Sequence, residues 1–279
     1  MIWHPERIAE LMLEAGDIAM DFYHRAEVSF KSDRSMVTEA DLAIEALFAR
    51  HFDRPRDGVY LIGEETHAQQ SEGYIEAALR HSAYVADPID GTANYANHLD
   101  LWGISLGLME DSVLQDGCIY FPTSGELLIT AGRDVLLRKV AGGHCGAPEK
   151  VNFARGLGRD SGMVALTQKI AKVGRFAKRN PVHALASAVF PLAGLVRGRY
   201  FAYLGQLKLW DIAGGVPMAE RAGLDMFLMD GTPFDTRVDS RLYRLDPDDG
   251  KRWALKDILV VAQPGHRDYF TRDIALGNS

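Results

Sequence analysis

The sequence predicts a layered α/β or α+β fold. Apolar residues at helical spacing open the chain over residues 8–22. Two apolar runs, at residues 102–109 and 113–121, are separated by a short charged turn, which predicts a β-hairpin. Beyond residue 160, strand-like and helix-like segments alternate. Because helices and sheets must bury their apolar faces against one another, such interleaving is typical of sheets covered by helices.

The first half of the chain is predicted to contain three helices and several strands. After the helix at residues 8–22, Thr38 and Asp41 resemble a capping box that opens a second helix ending near Phe52. A third helix is expected over residues 74–81. Strands are expected at residues 58–63, 83–86, 102–109, 113–121, 126–130 and 135–140.

The second half is predicted to alternate again after a glycine-rich stretch at residues 142–159. Strands are expected at residues 163–166, 200–204, 226–229 and 258–262, and helices at 184–196 and 211–222. Because irregular glycine-rich segments often separate packed units, we expect an N-terminal half, residues 1–145, and a C-terminal half, residues 146–279.

Composition limits the classes of partner. The 38 acidic residues exceed the 31 basic ones, for a formal net charge of −7. Nucleic-acid and anionic-membrane binders need a basic surface, so neither partner is expected. An anionic substrate stays compatible, because bound cations can reverse the field of an acidic pocket. The only cysteines are Cys118 and Cys145, and no stretch is apolar enough to span a membrane, so we expect a cytoplasmic protein.

Two aspartates follow a predicted buried strand. Asp87 and Asp90 flank Pro88, which stiffens the turn, and Gly91 comes directly afterwards. Carboxylates aimed at one point suit Mg²⁺, which takes a few carboxylate oxygens together with substrate phosphate. Gly91 and Thr92 would then offer backbone N–H groups to a phosphate at the start of a helical turn. An aspartate-rich turn without a ligand has the same composition, so this motif alone leaves both interpretations open.

Two further acidic motifs favour the metal site. Glu64 and Glu65 are adjacent at the end of another predicted strand, where like charges repel unless a cation or solvent separates them. Asp211 opens an otherwise apolar predicted helix, although an aspartate is also a good helix cap. All three motifs together are harder to explain as turns and caps.

The three motifs resemble those of the inositol monophosphatase-like family of metal-dependent phosphatases. The matching segments are residues 63–66, 87–92 and 210–214, in the family's order. The resemblance implies an α-β-α-β-α sandwich and Mg²⁺-dependent hydrolysis of a small phosphate monoester by a metal-activated water, without a protein nucleophile. The expected partner is a small phosphorylated metabolite, and we also expect a homodimer.

The resemblance assigns the metal ligands residue by residue. Glu64, Asp87 and the backbone carbonyl of Ile89 would hold one Mg²⁺. Asp87, Asp90 and Asp211 would hold a second one. Most of these ligands belong to the N-terminal half, whereas Asp211 and the substrate-specificity segments belong to the C-terminal half.

Further residues receive catalytic and substrate-binding roles from the same resemblance. Asp41 resembles the acid that supports a third, looser metal, and Lys31 a basic residue near the phosphate. Glu64 and Thr92 would orient the water and help to deprotonate it. The implied substrate-binding residues are Lys31, Asp90, Gly91, Thr92 and Asp211, to which we add Lys208.

Two other classes of function stay open. Residues 103–107 match the G-x-S-x-G elbow of serine hydrolases, with Ser105 as nucleophile and His266 later in the chain. That elbow turns from a strand into a helix, whereas the apolar run here continues, so we expect Ser105 to be a buried strand residue. The basic stretch at residues 169–179 predicts a solvated face, or else contact with nucleic acid by a non-catalytic regulatory protein on a phosphatase fold.

The motifs leave the substrate open. Inositol-selective relatives have an acid seven residues before the helix-mouth aspartate, where this chain has Leu204, and a Gly-Ser-Ala stretch where it has Ala-Ser-Ala from residue 186. Both departures argue against inositol phosphate itself and leave sugar phosphates, phosphonucleotides and histidinol phosphate open. Lys208 lies three residues before Asp211, so we expect it to contact a second anionic group of the substrate.

Overall fold

The computed structural model describes residues 3–23, 28–30, 36–153, 158–271 and 274–276. Lys31, predicted to lie near the phosphate, falls outside the described residues. The helices are α1 Pro5–Tyr23, α2 Glu39–Phe52, α3 Glu72–Arg80, α4 Thr92–Ala96, α5 Gln168–Val173, α6 Val189–Val196, α7 Leu209–Ala213, α8 Val216–Arg221 and α9 Arg267–Thr271.

The strands form two large sheets and two small ribbons. They are β1 Val28–Phe30, β2 Met36–Thr38, β3 Val59–Gly63, β4 Ser82–Asp90, β5 Gly103–Glu110, β6 Val113–Phe121, β7 Glu126–Ala131, β8 Asp134–Ala141, β9 His144–Cys145, β10 Glu149–Lys150, β11 Val164–Leu166, β12 Gly174–Phe176, β13 Val182–His183, β14 Ala202–Gly205, β15 Asp225–Leu228, β16 Leu259–Ala262 and β17 Ile274–Leu276. The ribbons are β1–β2 and β12–β17.

The first sheet has the order β10-β8-β7-β6-β5-β4-β3, with β9 on β8. β3 and β4 are parallel, and the other neighbours are antiparallel. The predicted hairpin at residues 102–121 is confirmed as β5 and β6. Because β9 and β10 continue this sheet to Lys150, the sheet itself runs past residue 145. A division of the chain at residue 145 stays a prediction.

The second sheet has the strand order β13-β11-β14-β16-β15. Three clusters of buried apolar side chains lie between the layers of sheets and helices. α1 and α2 cover one face of the first sheet, where Met12 and Phe48 are fully buried. Its other face packs against α3, α6, α7 and α8, and α6 also contacts the second sheet. α5 and α9 cover the outer face of the second sheet around Phe201 and Phe270. This order of layers confirms the predicted α-β-α-β-α sandwich.

Two predicted helices differ from the structure. The helix expected over residues 184–196 begins only at Val189, because Ala186 adopts a left-handed φ of 54° that helical geometry does not allow. The helix expected over residues 211–222 begins at Leu209 and is divided into α7 and α8 at Gly214. Among the described residues, none of the helices combines the length and apolarity that crossing a bilayer requires.

Candidate active site

A bulge at the end of β4 brings two aspartates to one side of the sheet. Asp87 pairs with Ser105 and Asp90 with Gly103, so β4 has one residue more than β5 between these two pairs. In a regular strand, residues three apart point to opposite faces, and the extra residue of a bulge reverses this. Gly91 then turns the chain into α4 with a φ of 94°, where glycine is favoured.

Three carboxyl groups meet at this bulge. One oxygen each of Asp87, Asp90 and Asp211 lies within 4.8 Å of the others. Asp87 is 3% exposed, and its Oδ1 has no hydrogen-bond partner in the described part of the chain. A buried carboxylate oxygen without a partner is costly, because it has lost water without replacing it. A hard cation is the ligand that such a group of oxygens suits.

The start of α6 holds Asp90 in place. The backbone N–H of Ala188 donates to both carboxylate oxygens, at 2.8 and 2.9 Å, and that of Val189 donates at 3.3 Å. The Ser187 hydroxyl also donates to Asp90. These donors come from residues some hundred positions away in sequence, so the aspartate connects β4 with the second half of the chain.

Asp211 is positioned by α7 and by two glycines of the first sheet. Its Oδ2 accepts a hydrogen bond from the backbone N–H of Lys208 at 2.8 Å. A Cβ on Gly107 would lie 2.5 Å from the Ala213 carbonyl oxygen, and one on Gly117 would lie 2.1 Å from that of Gly214. Only residues without side chains let α7 approach β5 and β6 this closely.

The other predicted site residues lie around this group. Glu64, at the end of β3, lines the same cavity as the three aspartates, together with Ile89, Gly91 and Thr92. The Thr92 hydroxyl donates to the Ile89 carbonyl oxygen at 3.2 Å. Asp41 is 1% exposed and accepts hydrogen bonds from the Thr38 N–H and hydroxyl, which confirms the predicted cap of α2.

The clustered acids raise one another's pKa. Burial and then the charges of Glu64, Asp90, Asp211 and Asp41 hold the pKa of Asp87 well above its ordinary 3.8. Burial raises the pKa of Asp90 to about 6, against the lowering effect of its hydrogen bonds from Ser187 and α6. Burial, Glu64 and Asp90 raise the pKa of Asp211 to about 8. Without a cation, the site therefore retains protons at neutral pH.

Polar, uncharged side chains of the described residues also line this cavity. The cavity has a volume of about 420 Å³, and beyond the acids it is lined by Thr167, Gln168, Tyr203 and Gln206. Leu204 is fully buried in the outer apolar cluster, so it does not line the cavity. Lys208 lines a neighbouring cavity of about 410 Å³ that shares Glu64, and its Nζ lies 5.2 Å from the Trp210 ring centre.

Three residues of this region were not predicted as site residues. Ser187 holds Asp90, Tyr203 lines the cavity, and Glu45 accepts hydrogen bonds from the loop that carries Glu64. The signal for Glu45 was present in the sequence. It lies on the same helical face as Asp41 and Phe48, a face that α2 buries.

Ser105 is a buried strand residue, as predicted. It is 0% exposed, and β5 continues past it to Glu110 without the strand-to-helix turn of a hydrolase elbow. A Cβ on Gly214 would lie 2.5 Å from the Ser105 hydroxyl oxygen. The glycine-serine pattern therefore serves the close packing of α7 on the sheet.

Replacing Ser105 by alanine is expected to leave phosphate release unchanged within about twofold, because a residue outside the reacting groups contributes little to the transition state. Its hydroxyl has no hydrogen-bond partner among the described residues, so the loss should not destabilise the fold. Initial rates and thermal unfolding of Ser105→Ala would check both points. A drop of several orders of magnitude in a folded variant would instead support a serine nucleophile.

Comparison with known proteins agrees with this arrangement. The inositol monophosphatase family model matches residues 6–260. The inositol-1-monophosphatase of Mesorhizobium japonicum is 28% identical over 243 residues, covering 80% of this chain and 85% of its own. A histidinol-phosphatase of Chlorobaculum parvum is 33% identical over 122 residues, or 42% of this chain and 44% of its own.

A solved structure shares the fold. The crystal structure of an IMPase/NADP phosphatase complexed with Mg²⁺ and phosphate has a TM-score of 0.74 at 16% identity, and the match covers 96% of this chain and 93% of that one. Because the family model spans most of the chain, this protein belongs to the inositol monophosphatase family, whose activity is the metal-dependent hydrolysis of phosphate monoesters.

Proposed function

We propose that the chain hydrolyses a small phosphate monoester with Mg²⁺ held between Glu64, Asp87, Asp90 and Asp211. The observation that carries the proposal is the Oδ1 of the buried Asp87, which has no hydrogen-bond partner among the described residues and lies within a group of three carboxyls. These four acids and Asp41 would carry a total charge of −5 when all five are ionised. Two divalent ions nearly cancel that charge and three reverse it, so a loaded site would attract phosphate. The neighbour complexed with Mg²⁺ and phosphate supports the choice of ion and ligand.

The ligand atoms that the site offers are of the type that Mg²⁺ prefers. The site offers carboxylate oxygens and the carbonyl of Ile89, and no nitrogen or sulfur ligand lines the cavity within the described ranges. Carboxylate, carbonyl and water oxygens suit Mg²⁺, Ca²⁺ and Mn²⁺, whereas zinc and copper sites are usually built with histidine or cysteine ligands. When bound, Mg²⁺ would activate a water and stabilise the charge that develops on the phosphate oxygens.

The chain's own groups would orient the reactants. Glu64 would accept the proton of the attacking water, and the Thr92 hydroxyl, which is anchored on Ile89, would help to orient that water. The backbone N–H groups of Gly91 and Thr92, at the first turn of α4, would bind the phosphate oxygens. As the water oxygen bonds to phosphorus, the ester bond would break, and the departing oxygen would lie beside Asp90 and Asp211 and take a proton from water to leave as the alcohol.

Two surfaces could receive the rest of the substrate. Tyr203 and Gln206 would hydrogen-bond the hydroxyl groups of a neutral alcohol. Lys208, in the cavity that shares Glu64, would instead bind a second anionic group. Tyr203 should stay a neutral donor, because burial and the charges of Asp90 and Asp211 hold its pKa well above 10.

A screen of phosphate esters tests the proposal. We expect phosphate release with Mg²⁺, loss of release with chelator, and recovery when Mg²⁺ is restored. The panel should contain inositol monophosphates, sugar mono- and bisphosphates, phosphonucleotides and histidinol phosphate, the last because a relative carries that activity in its name. Repeating the panel with Lys208→Ala shows whether bisphosphates lose rate selectively. Release at the same rate in chelator would contradict the proposal.

We also propose a homodimer located in the cytoplasm. The apolar side chain of Leu99 is 49% exposed, and a dimer contact at that surface would remove it from water. The thiols of Cys118 and Cys145 are both free, as is usual in a reducing compartment. Light scattering at several concentrations would measure the oligomeric state, and fractionation of the native cells would test the location.

A further inference from the structure

Glu45 is a buried carboxylate. It lies in α2, is 1% exposed, and no ion pair connects it with a lysine or arginine in the part of the chain that the structure describes. Burying an unpaired carboxylate costs stability, because the group loses its water. A residue that carries such a cost usually has a role beyond packing.

Among the described residues, the three hydrogen bonds that Glu45 accepts come from the loop that carries Glu64. Its Oε2 accepts from the backbone N–H of Glu65 at 2.9 Å. Its Oε1 accepts from the backbone N–H of Thr66 at 2.8 Å, and also from the Thr66 hydroxyl. The residues immediately after Glu64 are therefore fixed by one carboxylate of α2.

Two more contacts restrict the movement of the same loop. A Cβ on Gly63 would lie 2.2 Å from the carboxyl carbon of Glu45, so the residue before Glu64 passes directly over this carboxylate. On the other side, Nδ1 of His67 lies 2.9 Å from the Glu64 carbonyl oxygen. The His67 ring centre lies 4.6 Å from that of Trp210, the residue before Asp211. The loop thus has little freedom to move Glu64.

We propose that Glu45 is a positioning residue, whose carboxylate fixes the loop at residues 63–66 so that the Glu64 side chain faces Asp87 and the cation. This inference rests on the proposed function, in which Glu64 is a metal ligand. Mg²⁺ demands near-ideal octahedral geometry, so a small displacement of one ligand weakens binding. Groups that hold metal ligands in place typically change affinity by about 10–100-fold when they are replaced.

Glu45→Gln is the direct test. Glutamine keeps the size, but its NH₂ group would face the N–H of either Glu65 or Thr66, and two donors cannot pair. We expect the Kd for Mg²⁺, measured by titration calorimetry, to rise by about 10–100-fold. The Mg²⁺ concentration for half-maximal activity should rise in parallel, and kcat should recover in part at saturating Mg²⁺. A purely structural role would lower the unfolding temperature and leave the Kd of the folded protein unchanged.

A matched control is Glu126→Gln. Glu126 is also poorly exposed and hydrogen-bonded, to Arg197 and Lys139, but it lies on β7, three strands from β4. The Glu126→Gln variant should be less stable than the wild type. Its affinity for Mg²⁺ should stay within about twofold, because Glu126 contacts none of the proposed metal ligands. If Glu45→Gln does not fold, Thr66→Val removes one donor from the same contact and should raise the Kd about fivefold.

The outcomes separate the two levels of the proposal. If the wild-type protein binds no Mg²⁺, the proposed function fails and the role of Glu45 fails with it. If the wild type binds Mg²⁺ and Glu45→Gln or Thr66→Val binds it equally tightly, only the role of Glu45 is overturned. A weaker affinity in folded Glu45→Gln, with Glu126→Gln unchanged, supports it.

Discussion

Asp87→Asn is expected to lower kcat by about a thousandfold or more, since a bound metal contributes several kcal/mol to the transition state and each 1.4 kcal/mol is a factor of ten. Asp87 suits this test better than Asp90. Its Oδ1 accepts no hydrogen bond in the described structure, so an amide of the same size loses the charge without breaking a contact there. An amide at Asp90 would turn its NH₂ group toward the N–H groups of Ala188 and Val189. The measurement is phosphate release at saturating Mg²⁺, with circular dichroism to show that the variant is folded.

Asp134→Asn is the matched control for this substitution. Asp134 is a β8 residue whose side chain is 41% exposed and pairs with Lys150 on the surface. Surface pairs contribute about 0–1 kcal/mol, so the same chemical change should leave rate and stability nearly unaltered. Retention of the wild-type rate by folded Asp87→Asn would exclude this aspartate from the reaction.

The strand-end motifs were predictable because their chemistry is local. The pair Asp87 and Asp90 and the cap of α2 at Thr38 follow from residue types at short spacing. Asp211 belongs to the other half of the chain, and only the resemblance to the phosphatase family joined it to that pair. The β5–β6 hairpin follows from two apolar runs and a turn. The bulge in β4 could not be predicted, since a register shift depends on the neighbouring strand.

Features that depend on distant contacts were missed. The start of α6 is set by Ala186, whose left-handed φ accompanies the Ser187 and Ala188 hydrogen bonds to Asp90, about a hundred residues away. The apolar run at residues 184–196 gives no sign of that constraint. The break between α7 and α8 was missed too, although it has a local cause: Pro217, at the start of α8, has no N–H to donate to the Ala213 carbonyl, and its ring crowds that carbonyl. At the start of α6, by contrast, a tertiary contact overrides local helix propensity.

Removing divalent cations is expected to make stability fall as the pH rises toward 8. In the folded chain, the pKa of Asp211 is raised to about 8, and that of Asp87 is also well above the ordinary 3.8. Between the ordinary pKa of 3.8 and the raised pKa of about 8, the folded state binds more protons than the unfolded one. The free energy of unfolding therefore decreases as the pH increases through this range. His67 acts in the opposite sense, but its lowered pKa confines that effect to pH values near or below 6.5. Urea unfolding in chelator at pH 7.0, 7.5 and 8.0 would measure the slope.

Saturating Mg²⁺ should abolish this slope, because the cation replaces the protons that the acids retain without it. At a hundred times its Kd, a cation that binds only the folded state adds about 2.7 kcal/mol to the free energy of unfolding. Asp211→Asn is the informative variant, since it removes the group with the pKa nearest the measured range. In chelator it should be more stable than the wild type at pH 8, and its stability should depend less on pH. A wild-type slope that is flat in chelator, or identical with and without Mg²⁺, would contradict a cation site built from these carboxyls.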